Sequence, residues 1–104
     1  MQAQVSILHH DYPARVRELV EQKLHHLVKF YERIVSMRCL LERQNEEHRI
    51  EIVANVGRGA ILVVDARGTA FSTALEEAIE RMERLLKRHN AKKLQARRRN
   101  RSSP

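Results

Sequence analysis

Hydrophobic residues recur along this chain with two different periods. Residues 2–8, 37–43, 49–56 and 60–67 alternate between apolar and polar positions, which predicts four half-buried β-strands. Between the first two of these segments, and again after the last, apolar residues recur at i, i+3, i+4 and i+7. This second spacing is that of one face of an α-helix. The pattern therefore predicts an α+β domain with the element order β-α-β-β-β-α.

The first helix is predicted from Pro13 to about Tyr31, because Pro13 suits the first turn of a helix and Asp11 stands where a cap is expected. Its apolar stripe consists of Val16, Leu19, Val20, Leu24, Leu27, Val28 and Tyr31. The second helix is predicted to begin near Phe71. Its apolar face consists of Ala74, Leu75, Ala78, Ile79, Met82, Leu85 and Leu86.

The connections between the predicted strands indicate how the strands pair. The first two are joined through a helix and should lie parallel, with a right-handed crossover. The polar run at residues 44–48 and the Gly57-Arg58-Gly59 hairpin signal make the next two pairings antiparallel. Each strand has one clearly apolar side, so both helices should pack on one face of a four-stranded mixed sheet.

The opposite face of the sheet is less polar than usual. Leu8, Leu40, Val53, Ile61 and Val63 are predicted to lie on it. Two interpretations remain open at this point. The face is either a partly apolar surface left open to water, or a surface for a partner or for weak self-association.

Positive charge is concentrated at one end of the chain. Residues 87–104 contain eight basic and no acidic residues, whereas residues 1–86 contain 12 basic and 13 acidic residues. The eight are Lys87, Arg88, Lys92, Lys93, Arg97, Arg98, Arg99 and Arg101. Concentrated like charge is self-repulsive unless a polyanion relieves it, which favours nucleic acid over an anionic membrane surface. We expect a domain at residues 1–94 and a basic tail at residues 95–104 that is disordered when free.

Catalytic and metal-binding patterns are not apparent. The pairs His9-His10 and His25-His26 are adjacent in sequence, so neither pair can chelate one metal ion from regular structure. Cys39, the single cysteine, is predicted to be a core residue, and Asp65 and Arg67 to be ordinary surface charges. No cofactor or enzymatic activity is therefore expected. The lone cysteine and the lack of a signal sequence or long apolar run favour a cytoplasmic protein without membrane contact.

Several stretches resemble a known family. They are MQAQVSI at residues 1–7, VRELVEQKL at 16–24, FYERI at 30–34 and, most strongly, ALEEAIERMERLLKRH at 74–89. Together with the order of elements, they make the chain similar to the ribosome hibernation-promoting factors, also called ribosome-subunit interface proteins, in their short form. The resemblance covers residues 1 to about 94.

This resemblance implies a non-enzymatic inhibitor of translation that acts under stress or in stationary phase. Such proteins occupy the mRNA-tRNA channel of the small ribosomal subunit and stabilise inactive ribosomes. The implied partners are the small subunit and its rRNA, the intact ribosome and a second ribosome-modulating protein. The implied RNA-facing residues are Lys23, Arg81, Arg84, Arg88, His89 and Lys92. The basic residues beyond the apolar face add Lys87, Lys93, Arg97, Arg98 and Arg99 to the candidate RNA-binding set.

Two alternatives of the same fold remain open. A double-stranded RNA module has an α-β-β-β-α order nested in this one, but it would need lysines where Glu76, Glu77 and Glu80 stand. A protein-interaction module that binds a regulator would use the partly apolar sheet face instead. Its binding would survive high salt, whereas phosphate contacts weaken steeply with salt.

Overall fold

The computed structural model describes residues 1–8 and 12–102, with side chains described as far as Arg97. Along the chain the elements are β1 (Gln2–Leu8), α1 (Ala14–His26), a 3₁₀ turn (Leu27–Phe30), β2 (Ser36–Gln44), β3 (Glu47–Asn55), β4 (Ile61–Gly68) and α2 (Phe71–Ser102). The predicted order β-α-β-β-β-α is confirmed. The predicted cap Asp11 and the His9-His10 pair lie outside the described residues.

The sheet has the strand order β1-β2-β3-β4, with a parallel pair at one side and two antiparallel pairs beside it. β1 pairs with β2 in parallel, so that Val5 lies opposite Cys39. In the antiparallel part, Cys39 lies opposite Ile52, which in turn lies opposite Val64. One row of apolar side chains thus crosses all four strands, and β1 and β4 form the two edges of the mixed sheet.

Both helices cover the same face of the sheet, as the alternation of the strands predicts. The inward apolar side chains of the two central strands are fully buried. Val20 and Leu24 of α1, and Ala78, Met82 and Leu86 of α2, are buried against them. Burial of this apolar surface is the main stabilising contribution to the fold, at about 25 cal/mol per Å².

Two details of the first helix differ from the sequence prediction. The α-helix ends at His26, and the chain continues to Phe30 as the tighter 3₁₀ turn. The sequence pattern places Leu19 in the apolar stripe, but this residue is 42% exposed. Successive helical residues point about 100° apart, and the fully buried neighbour Val20 takes the position that faces the sheet.

Two short turns form the antiparallel hairpins. Asn45 and Glu46 connect β2 to β3, with Asn45 at a φ of 57°. The turn at Gly57-Arg58-Gly59 has φ values of 87°, 55° and 78°. The Ala60 N–H donates to the Gly57 carbonyl at 3.0 Å and closes this turn. The predicted hairpin at this position is therefore confirmed.

The second helix is longer than the sheet it covers. Its 32 residues span about 48 Å at 1.5 Å per residue, whereas strands of 8 to 9 residues span about 30 Å. The molecule accordingly measures 59 Å in its longest dimension and 22 and 20 Å in the others. α2 continues without a break across the boundary predicted at residue 95, as far as Ser102. Disorder of the tail in the free protein stays a prediction.

Candidate nucleic-acid interface

Four basic residues form a stripe along α2. Arg81, Arg84, Arg88 and Lys92 are exposed and follow each other at intervals of three or four residues, the spacing that places side chains on one side of a helix. Hereafter these four residues are the basic stripe. Its three arginines line an open groove of about 440 Å³ between α2 and the edge strand β4, together with Val63, Val64, Asp65 and Leu85. The structure thus places on one side of α2 four of the residues that the resemblance implies to face RNA.

The arginines of the stripe differ in their engagement with the rest of the protein. Arg81 donates from Nη1 to the main-chain carbonyl of Asp65 and pairs through Nη2 with the Glu77 carboxylate. Arg84 and Arg88 make no hydrogen bond or ion pair with the part of the chain that the structure describes. These two guanidinium groups are therefore available to a phosphate without breaking an internal contact.

Lys23 and Lys87 lie away from the basic stripe. Lys23 shares a groove of about 210 Å³ with His26, Leu75, Glu76, Ile79, Glu80 and Glu83. Lys87 pairs with Glu83 at 3.2 Å and lies 5.0 Å from the centre of the Phe30 ring. Carboxylates therefore partly neutralise this side of α2. The structure does not bring Lys23 together with the arginines, although the resemblance grouped them.

His89 and Lys93 pack on Tyr31 at the end of the 3₁₀ turn. The rings of Tyr31 and His89 lie 5.0 Å apart, and the Lys93 ammonium lies 5.4 Å from the Tyr31 ring centre. Burial lowers the pKa of His89, and the neighbouring charges of Lys93 and Lys92 lower it further. The Tyr31 hydroxyl and His89 Nε2 are buried and have no hydrogen-bond partner among the described residues.

The structure adds basic residues that the sequence prediction did not include. Lys29 and Arg33 line a groove of about 270 Å³ with Phe30, Tyr31, Glu32, Asn90, Lys93, Leu94 and Arg97. Arg58 joins Arg33, Lys93, Ala96 and Arg97 around an adjoining groove of about 150 Å³. The predicted strand pairing could have indicated Arg33 and Arg58, because it brings the start of β2 and the β3–β4 turn to the same end of the sheet. The side chains of Arg98 and Arg99 lie outside the described residues.

The open face of the sheet carries a charge cluster around Arg49. Its guanidinium contacts Glu42 at 3.3 Å, Glu51 at 3.0 Å and Asp65 at 2.8 Å. Hydrogen bonds and ion pairs with these carboxylates raise the pKa of Arg49, with the Asp65 hydrogen bond contributing most. Asp65 is a surface charge, as the sequence indicated, and the structure adds that it pairs with Arg49.

Side chains that could bind a metal ion do not converge in the described part of the chain. No cluster of three or more histidine, cysteine or acidic side chains there could hold a metal ion. Cys39 is fully buried, and this burial raises the pKa of its thiol to about 12, which confirms it as a core residue. In the described ranges, no helix is both long and apolar enough to cross a membrane.

Comparison with known proteins identifies a family and a fold. The sequence model of the family described as "Sigma 54 modulation protein / S30EA ribosomal protein" matches residues 3–94. This match covers most of the chain, including nearly all of β1, the other three strands, α1 and the basic stripe of α2. No curated protein sequence matches the chain.

Two solved structures are similar to this one. A ribosomal subunit interface protein from Coxiella burnetii superposes with a TM-score of 0.79 at 18% identity, covering 88% of this chain and 99% of that chain. The N-terminal domain of Protein Y from Thermus thermophilus superposes with a TM-score of 0.74 at 21% identity, covering 83% of this chain and 94% of that chain. At these identities the superpositions establish the shared fold.

Proposed function

Because the chain belongs to the family of sigma 54 modulation and S30EA ribosomal proteins, we propose that it is a ribosome-binding factor that inhibits translation. Its partner is the small ribosomal subunit, alone or in the intact ribosome, and its target there is rRNA. It occupies the channel for mRNA and tRNA and stabilises inactive ribosomes under stress or in stationary phase. This is a function of binding, with no chemical step and no cofactor.

The observation that carries the proposal is the basic stripe on α2. Arg84 and Arg88 are exposed and unpaired within the described chain, and they lie beside Arg81 in the groove along β4. A guanidinium group presents a planar fork of donors that matches the oxygen atoms of a phosphate. A rigid helix that carries such groups at regular intervals suits the backbone of folded RNA.

Backbone contact explains why so few aromatic side chains are needed. The chain has two tyrosines, two phenylalanines and no tryptophan, and Tyr31 is buried. Single-strand binding proteins rely on exposed aromatic platforms for stacking. Contacts with phosphates and with the shape of the RNA need only cations held in a fixed arrangement.

Cosedimentation tests the proposal directly. The purified protein is centrifuged through sucrose gradients with small subunits, large subunits and intact ribosomes, at low and at moderate salt. We expect it to travel with the small subunit and the intact ribosome. Ribosomes that already hold mRNA and tRNA should not bind it. A protein that stays at the top of the gradient at both salt concentrations contradicts the proposal.

A second candidate function rests on the open face of the sheet. Leu8, Ile61 and Val63 are 44%, 52% and 53% exposed there, and exposed apolar side chains favour contact with another protein. The partner would be a regulator, a second ribosome-modulating protein or a second copy of this chain. Binding of this kind would persist at high salt and would be lost when Val53, Ile61 and Val63 are replaced by serine or threonine.

A further inference from the structure

The inward face of α2 changes from apolar to cationic where the helix leaves the sheet. Leu86 is fully buried. Continuing along the same face at helical spacing, the next residues are His89, Lys93 and Arg97. The helix is about 18 Å longer than the strands beneath it. His89 and Lys93 still pack on Tyr31 at the border of the core, and the helix beyond them extends past the sheet.

Three separate segments place basic side chains around the part of α2 that begins at His89 and extends past the strands, hereafter the overhang. Arg33 precedes β2, Arg58 is at the tip of the β3–β4 turn, and Lys93 and Arg97 belong to α2. These four residues line a groove of about 150 Å³ with Ala96, hereafter the basic groove. No carboxylate is among the described residues that line it.

The turn holds Arg58 in place. Its φ of 55° lies in the left-handed region, which costs a residue other than glycine about 1 kcal/mol. Gly57 and Gly59 on either side also have positive φ, and Gly57 N–H is bound by the Asn55 side chain at 3.0 Å. The tight turn therefore gives the Arg58 backbone a defined conformation beside the groove.

An anion bound in the basic groove would relieve the repulsion among its four cations. Four cations around one small groove repel each other, and nothing in its described lining offsets that cost. Beside it lies the larger groove, whose lining includes Lys29, Glu32, Asn90 and Tyr31. Tyr31 is only 4% exposed, and its hydroxyl oxygen is buried with no partner among the described residues. Because this oxygen is covered by protein, an anion in the basic groove would be held by the four cations.

We propose that the basic groove binds backbone phosphates of RNA, as a second contact separate from the basic stripe. Lys92 belongs to the stripe and Lys93 to the groove, and adjacent helical residues point about 100° apart. α2 would thus lie between two stretches of phosphates, one along β4 and one beneath the overhang. The inference rests on the proposed function for the class of partner, and it adds Arg33 and Arg58 as RNA-binding residues.

The salt dependence of RNA binding tests this proposal. Each phosphate contact with single-stranded RNA contributes about 0.7 to the slope of log affinity against log salt concentration. The R33Q/R58Q variant should flatten the slope by up to about 1.4 for a uridine oligonucleotide, and should flatten it also for purified small subunits. The matched control R15Q/R38Q removes the same charge from two exposed positions outside the groove and should keep the slope of the unmodified protein.

Two further measurements show whether a flatter slope of R33Q/R58Q results from the loss of positive charge in the basic groove. The R33K/R58K variant keeps the charge and should restore the slope. In the absence of RNA and at low salt, R33Q/R58Q should raise the melting temperature, because it relieves the repulsion, whereas R15Q/R38Q should not. Equal slopes for R33Q/R58Q and the unmodified protein, or equal flattening in R15Q/R38Q, would overturn the proposal.

The same experiment distinguishes failure of the groove from failure of the proposed function. If the protein binds small subunits but R33Q/R58Q does not change the slope, the groove proposal fails and the function stands. If the protein binds the oligonucleotide through Arg33 and Arg58 but does not bind small subunits, the groove stands and the ribosomal function fails. Absence of binding to both RNA and subunits overturns both.

Discussion

Arg81 of α2 donates a hydrogen bond to the main-chain carbonyl of Asp65 in the edge strand β4. At the other edge of the sheet, Arg17 of α1 donates from Nη1 to the carbonyl of Val5 in β1 at 2.7 Å. In each edge strand, one main-chain carbonyl thus accepts a hydrogen bond from an arginine of the helix that packs beside that strand. Unpaired edge groups can template pairing with another chain, so these two arginines protect the sheet edges.

Replacement of Arg81 by alanine should reduce stability as well as RNA binding. It removes the bond to the Asp65 carbonyl and the ion pair with Glu77. Since Arg81 is 45% exposed, we expect a loss of only about 0.5 to 1 kcal/mol, measured by urea unfolding. Arg84→Ala is the matched control on the same stripe and should change stability by less than about 0.5 kcal/mol. Equal stabilities of the two variants would contradict the edge role of Arg81.

Charge reversal at Arg84 and Arg88 should abolish most binding to the small subunit. Both side chains are exposed and unpaired in the described chain, so R84E/R88E should keep a native circular dichroism spectrum. We expect at least about a tenfold loss of affinity, equal to about 1.4 kcal/mol, measured by cosedimentation at moderate salt. R15E/R38E carries the same charge change elsewhere and should bind nearly normally. Retained binding by R84E/R88E would remove the stripe from the interface.

Cys39 should be unreactive in the folded protein. Its side chain is fully buried, and burial raises the pKa of its thiol to about 12. The thiolate, which is the reactive form, is therefore almost absent at neutral pH. A thiol-specific chromogenic reagent should react only after denaturant is added, at the rate of an unfolded cysteine. Rapid labelling under native conditions would show that β2 opens readily.

Protonation of His89 should destabilise the fold. Burial, together with the charges of Lys93 and Lys92, lowers the pKa of His89 below the ordinary histidine value of 6.5. Between the lowered pKa and 6.5, the unfolded chain therefore binds more protons than the folded chain. Stability is therefore complete above about 6.5 and declines as the pH falls through that window. His89→Phe keeps a ring against Tyr31 and should remove this component. As the pH falls, the free energy of unfolding of the unmodified protein should decrease relative to that of His89→Phe, and a difference that does not change with pH would contradict the assignment.

Neutralisation of Arg98, Arg99 and Arg101 tests the basic tail separately from the basic groove. Replacement of all three by glutamine should flatten the salt slope by up to about 2, because each contact contributes about 0.7. The loss should be similar for all RNA sequences, since phosphate contacts carry no sequence information. An unchanged slope, with the slope of R33Q/R58Q measured in parallel, would show that the tail does not contact phosphate.

Local patterns were enough to predict most of the fold. Alternation assigned the inward residues of all four strands, and a one-residue shift would have turned every one of them to the other face. The buried Cys39, Ile52 and Val64, which form one row across the sheet, were all assigned correctly. Short connections then allowed only one pairing scheme. The length of the first α-helix was less predictable, since its 3₁₀ end depends on packing at Leu27 and Tyr31.

The sequence by itself determined the order of elements, the composition of the core and the concentration of charge beyond Leu86, because periodicity and composition are local properties. Only the tertiary structure decided which charges meet. It placed Lys23 among carboxylates, engaged Arg81 with an edge strand and brought Arg33 and Arg58 to Lys93 and Arg97. These neighbours are up to 64 residues apart in the chain. Their proximity follows from strand order and from the length of α2 relative to the sheet, which no local pattern encodes.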